Sequence, residues 1–158
     1  MIRAVGRGME RSPGSFAEVE EETLCDHMLV TLNTHYIGRT YAEAFNRKGK
    51  TDILIRVHDR NAFIGECKKW AGAKKFNEAL DQLFSYTTWQ DSRLALIIYV
   101  KEKNPSSIIE KARAEMERRP EFTSWDGPAR DGGFRCRVRW PDDPKREAIL
   151  TALFFHLG

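Results

Sequence analysis

Three side chains near the middle of the chain could do chemistry together: Asp52 in TDILIRV, and Glu66 with Lys68 in AFIGECK. Both apolar runs read as strands, rich in branched and aromatic residues. A carboxylate and an ammonium two residues apart on a strand share one face. Folding the two runs as a hairpin about Asp59-Arg60 sets Asp52 opposite Glu66, within one residue, and opposed residues also share a face. Two carboxylates so close repel unless positive charge lies between them. Hard oxygen donors suit Mg²⁺, and the lysine is then placed to orient or help deprotonate a water. The plain alternative for Glu66 and Lys68 is a solvated ion pair at a strand end.

Other residues join them. In a helix expected over 15–33, Ala17, Leu24, Cys25, Met28, Leu29 and Leu32 form the apolar face, and Glu21 falls near its middle. A buried carboxylate needs a cation, which this site could supply. A second helix, expected from about Lys74 to Gln90, places Gln82 and Tyr86 one turn apart. They lie off its core face of Phe76, Leu80, Leu83, Phe84 and Thr87, with Lys75 and Trp89 nearby.

These residues need a scaffold. Residues 1–14, with scattered arginines, Gly6, Gly8, Pro13 and Gly14, read as a mobile basic arm or the cut edge of a longer protein. After the first helix come a short strand in TYAEAFN, a turn at RKGK, the hairpin and the second helix. RLALIIYV is nearly all apolar, the pattern of a central strand buried on both faces. PSSIIEKARAEMERR reads as a third helix with Pro105 near its start. Residues 120–133 read as a loop, and FRCRVRW as a strand. The tail REAILTALFFHLG fits either a helix stripe or a strand, and the short PDDPK loop favours a strand returning along 134–140. The order is αβββαβ with a C-terminal αβ extension: an α/β fold with a mixed central sheet flanked by helices.

The chain has 158 residues, enough for one domain. Its net charge of +3 permits nucleic-acid binding without demanding it. No apolar run approaches a membrane span, and the N-terminus lacks the apolar stretch of a signal peptide. Cys25, Cys67 and Cys136, odd in number and widely spaced, read as reduced thiols, and the cytoplasm is the expected compartment.

On Asp52 in GKTDILI, Glu66 and Lys68 in IGECK, Glu21 in the preceding helix and Gln82 with Tyr86 in DQLFSY, the chain resembles the PD-(D/E)xK nuclease superfamily, the restriction-endonuclease-like fold. The resemblance covers about residues 15–100 and treats 15–158 as a single domain. It departs from the family's name at Thr51, where a proline is usual. The resemblance implies metal-dependent hydrolysis of nucleic-acid phosphodiesters, DNA first, as in the effector part of a defence or restriction system. Asp52, Glu66, the Cys67 carbonyl and Glu21 would hold Mg²⁺ or Mn²⁺. Lys68 would position a water and offset phosphoryl charge, and Gln82 would orient Lys68 or a phosphate. Lys69, Lys74, Lys75, Gln82 and Tyr86 would contact nucleic acid. A homodimer or a larger assembly stays open, as does a catalytically silent module that binds nucleic acid or protein on the same fold.

Two groups carry a blander reading. Trp70, Trp89, Trp125 and Trp140 read as packing residues before base-stacking platforms. Arg135, Arg137 and Arg139 share one strand face, either as a solvated edge strand that deters aggregation or as a phosphate-contacting stripe.

Overall fold

The computed structural model describes residues 1–36, 42–46, 51–57, 60–87, 91–128 and 132–158. For residues 33, 35–36, 42–46, 51–52, 54–57 and 60–62 it describes the backbone alone. In chain order the elements are α1 (Ile2–Glu10), α2 (Pro13–Phe16), α3 (Glu21–Tyr36), β1 (Ala42–Asn46), β2 (Thr51–Val57), β3 (Arg60–Lys69), α4 (Ala73–Tyr86), β4 (Arg93–Val100), α5 (Pro105–Glu117), β5 (Phe122–Trp125), β6 (Gly133–Trp140) and β7 (Asp143–His156). Among the described residues the strands form one mixed sheet of seven, in the order β1-β2-β3-β4-β7-β6-β5. β3, β4 and β7 run parallel, and the remaining pairings are antiparallel.

β4 stands at the centre, and its pattern explains why. Leu94, Leu96, Ile98 and Val100 pack with Phe76, Leu80 and Leu83 of α4 and Ile108, Ala112 and Met116 of α5. The alternate residues Ile97 and Tyr99 pack on the other side with Leu24, Cys25, Met28 and Leu29 of α3 and Met9 of α1. A strand buried on both faces must be apolar throughout, and this one is after Arg93. The tail is a strand, as expected, paired antiparallel with β6 across the 141–142 turn and parallel with β4. α5 starts where Asn104 accepts a hydrogen bond from the Ser107 N–H, with Pro105 in its first turn.

Four expectations need correction. Residues 1–14 form α1 and the start of α2 instead of a mobile arm: Met9 is buried, and Gly6 packs so closely on the Phe155 ring that a Cβ there would collide with it. The first long helix begins at Glu21, not at Ser15, because the chain turns between α2 and α3. The second helix ends at Tyr86, short of Gln90, and residues 88–90 lie outside the described residues. Within 120–133, read as loop, Phe122–Trp125 is a short strand pairing with β6. Among the described residues, no helix is long and apolar enough to cross a membrane.

Candidate active-site cleft

The hairpin register brings the first two candidate residues together. Asp52 of β2 is the Cα partner of Glu66 of β3. At its far end the hairpin pairs Val57 with Arg60, so Arg60 belongs to β3. Carried straight along the hairpin, that pairing would set Asp52 opposite Gly65. A bulge at the Ile55/Arg56 step shifts the register by one and sets Asp52 opposite Glu66 instead. Bulges often re-aim side chains beside functional sites in this way. The Asp52 side chain itself lies outside the described residues.

Glu66 has no exposed surface, although it follows the apolar run of β3. Its alternation partner Ile64 belongs to the α4-side core, so Glu66 and Lys68 face that side of the sheet. A buried carboxylate is tolerated only when compensated. Lys68 Nζ lies 3.1 Å from Glu66 Oε1. The same ammonium donates to Glu21 Oε1 at 3.0 Å. Glu21 Oε2 accepts a second hydrogen bond, from the Lys69 backbone N–H at 2.8 Å. Glu21 opens α3, one turn before the buried Leu24 and Cys25 of the same stripe, and reaches the site from there. One carboxylate thus ties the start of α3 to the end of β3, while Lys68 stands between two carboxylates.

Burial alone would lower the Lys68 pKa. The hydrogen bond it donates to Glu21 and the charge of Glu66 outweigh it, and the lysine is held above its ordinary value. Lys68 is therefore a fixed cation at neutral pH, suited to orienting and charge compensation and not to taking up a proton.

Glu21 and Lys68 open onto a cleft of about 1170 Å³, with Glu66 buried behind them and not among its lining residues. Glu21, Lys68 and Lys69 form one wall, and Lys75, Glu78, Asp81, Gln82, Ser85 and Tyr86 of α4 the other. Gln82 Nε2 donates to Tyr86 Oη at 2.9 Å, so the pair forms one polar unit on that wall. Lys75 pairs with Glu78 at 2.7 Å. Lys74 stands exposed in the first turn of α4 and is not among the residues lining the cleft. The Cys67 side chain turns to the opposite face of the sheet, into the α3-side core, leaving its backbone between Glu66 and Lys68. Sequence reasoning missed Glu78, Asp81 and Ser85. Stepping back from Gln82 and Tyr86 at helical spacing, to 78 and 75, would have found part of that wall.

Of the tryptophans, Trp70 stacks near Phe76, Trp125 packs on Phe122 and Phe134, and Trp140 lies edge-on to Phe84. Trp89 lies outside the described residues. Among the described residues, no group of three or more His, Cys, Asp or Glu is arranged to hold a metal ion. That description does not include the Asp52 carboxyl.

No protein-family model matches the chain, and no curated protein or solved structure matches it.

Proposed function

We propose that the chain is a metal-dependent nuclease of the PD-(D/E)xK type, hydrolysing phosphodiester bonds of nucleic acid, DNA first. The observation that carries the reading is the ammonium of Lys68 set between Glu21 and buried Glu66, with Asp52 in register opposite Glu66. A solvated ion pair needs no buried carboxylate and no third acidic residue from another element. The order α3-β1-β2-β3-α4-β4, with β3 and β4 parallel at the centre of the sheet, is compatible with a restriction-endonuclease-like core.

The donor set fits a hard divalent cation. Asp52 and Glu66 would hold Mg²⁺ or Mn²⁺ with carboxylate oxygens, the donors such ions prefer. When bound, the ion would supply the charge that polarises a phosphate and acidifies a water. The chain's own residues do the rest. Lys68, kept protonated, orients the water and offsets negative charge growing on the phosphoryl oxygens. Glu21 is the positioning residue that holds Lys68 and the strand end. Both of its oxygens are already engaged, which suits this role better than metal ligation. Gln82 and Tyr86 offer a polar wall, and Lys69 and Lys75 offer cations, to the sugar-phosphate chain.

The test is incubation of purified protein with plasmid, linear and single-stranded DNA and with RNA, in Mg²⁺, Mn²⁺ or EDTA. Cleavage that needs the cation supports the reading. Nucleic-acid binding with no cleavage on any substrate replaces it with a silent binding module.

A further inference from the structure

The outward face of β6 is not explained by the cleft. Phe134, Cys136, Val138 and Trp140 point into the α4-side core, while Arg135, Arg137 and Arg139 alternate with them and are each about half exposed. Register extends the row across the sheet. Arg137 is opposite Ile149 of β7, and Ile149 is opposite Arg93 of β4, which is exposed as well. Four arginines therefore lie on one open sheet face.

Two features set this face apart from an ordinary solvated strand. Charge on strands commonly guards an edge against pairing with another chain, but β6 lies inside the sheet, with β5 as the edge. The edge-guarding explanation therefore does not apply. The cations are also all arginine, whose planar fork matches phosphate oxygens, where a merely hydrated face has no need of that geometry.

Their present partners are weak competitors. Arg135 pairs with Asp126 at 2.8 Å, Arg137 with Glu147 at 2.9 Å, and Arg139 with Glu147 at 3.7 Å. Exposed pairs of this kind contribute little, so a phosphate can displace them. Arg93 has no ion pair among the described residues. Alternate residues on a strand stand about 7 Å apart, which makes a row and not one convergent pocket. A row of guanidiniums fits a polymer of phosphates better than one small anion.

We propose that this face, built from Arg93, Arg135, Arg137 and Arg139, is a second binding surface for the phosphate backbone of nucleic acid. It lies on the sheet face opposite Glu66 and Lys68. Its β6 arginines are also separated from them by three strand spacings, roughly 20 Å with the offset along the strands, while Arg93 lies one strand away on β4. It holds nucleic acid outside the cleft and takes no part in bond cleavage, and the inference does not depend on the nuclease reading.

The experiment is binding of a fluorescent short DNA duplex to the full chain in EDTA, over a range of salt concentrations. The variants are Arg135→Gln/Arg137→Gln/Arg139→Gln and Glu147→Gln. The triple variant should bind at least about tenfold more weakly, with a salt dependence shallower by about two to three phosphate contacts. Glu147→Gln, which releases Arg137 and Arg139 from their shared carboxylate, should bind more tightly. Wild-type affinity and salt slope in the triple variant would overturn the proposal. So would weaker binding by Glu147→Gln, or a triple variant that changes only the oligomeric state, which would mark a contact between copies. If the triple variant is unstable on melting, Arg137→Gln alone with Glu147→Gln decides the matter. Because EDTA removes any cleavage, failure of the nuclease reading leaves this test standing, and its failure leaves the nuclease reading standing.

Discussion

Glu21 and Lys68, 47 residues apart in the chain, meet at 3.0 Å, and the other oxygen of Glu21 accepts the Lys69 N–H. The start of α3 and the end of β3 are thereby fixed to each other through one carboxylate. Glu21→Gln keeps an oxygen for the Lys69 N–H but loses the charge that holds Lys68. Cleavage should fall about tenfold or more, on the scale of losing a positioned group, with substrate affinity nearly unchanged. Glu21→Ala, which loses both contacts, should be worse. Steady-state kinetics of the two variants check this, and full activity in Glu21→Gln would remove Glu21 from the site.

Lys68 also offsets the burial of Glu66, so its loss should show in stability. In EDTA, Lys68→Ala should be less stable than the wild type by about 2 kcal/mol or more, since it removes one charge of a largely buried pair. Mg²⁺ should stabilise the variant by about as much as it stabilises the wild type, because binding to the folded state alone stabilises it and an ammonium is not a metal ligand. Thermal melts with and without Mg²⁺ measure the difference. A variant indifferent to Mg²⁺ would argue against Asp52 and Glu66 as a cation site.

All three cysteines are buried. Burial, and then contact with Cys25, pushes the Cys67 thiol well above its ordinary range, and burial pushes Cys136 up to about 12. A raised thiol pKa means the neutral, unreactive form at pH 7 to 9. A thiol-specific disulfide reagent at about pH 8 should label none of the three in the native protein and all three in denaturant. Rapid native labelling of Cys67 would show that β3 opens beneath the cleft.

The hairpin was legible in the sequence because its register is local. Two apolar runs with a turn signal between them bring Asp52 near Glu66, and only the bulge at Ile55/Arg56 was unreadable. β4 was legible because a strand apolar on both faces has few other places to be. The side of the helix on which Glu21 lies was legible from its apolar neighbours, but not that Glu21 opens α3, the position that carries it to Lys68. β5 was missed because four residues among Gly, Pro and Asp give no period to read. α1 was missed because Gly6 and Gly8 look like helix breakers, although Gly6 is the residue that lets Phe155 approach.

That last point is testable. Gly6→Val should destabilise the protein, since overpacking against a buried ring costs about 1–3 kcal/mol and a β-branched residue gains little helix propensity. Proteolysis should then remove residues near the N-terminus faster than in the wild type. Unchanged melting and unchanged proteolysis would mean that α1 is not held on β7.

Metal ligation and charge compensation are separate tasks in this site, and two variants separate them. Lys68→Ala should bind Mg²⁺ nearly as the wild type does, since an ammonium is not a metal ligand, while cleavage falls by about 10²-fold or more. Asp52→Asn should weaken both metal binding and cleavage, and should leave nucleic-acid affinity unchanged or slightly raised, because that affinity rests on lysines and arginines. The most direct measurement is the Mg²⁺-dependent cleavage rate of the wild type and Lys68→Ala on the same nucleic acid at fixed salt. The account predicts metal-dependent cleavage by the wild type and its near loss in the variant. Equal rates in the two proteins would contradict it and leave Glu21, Glu66 and Lys68 as a structural ion-pair network.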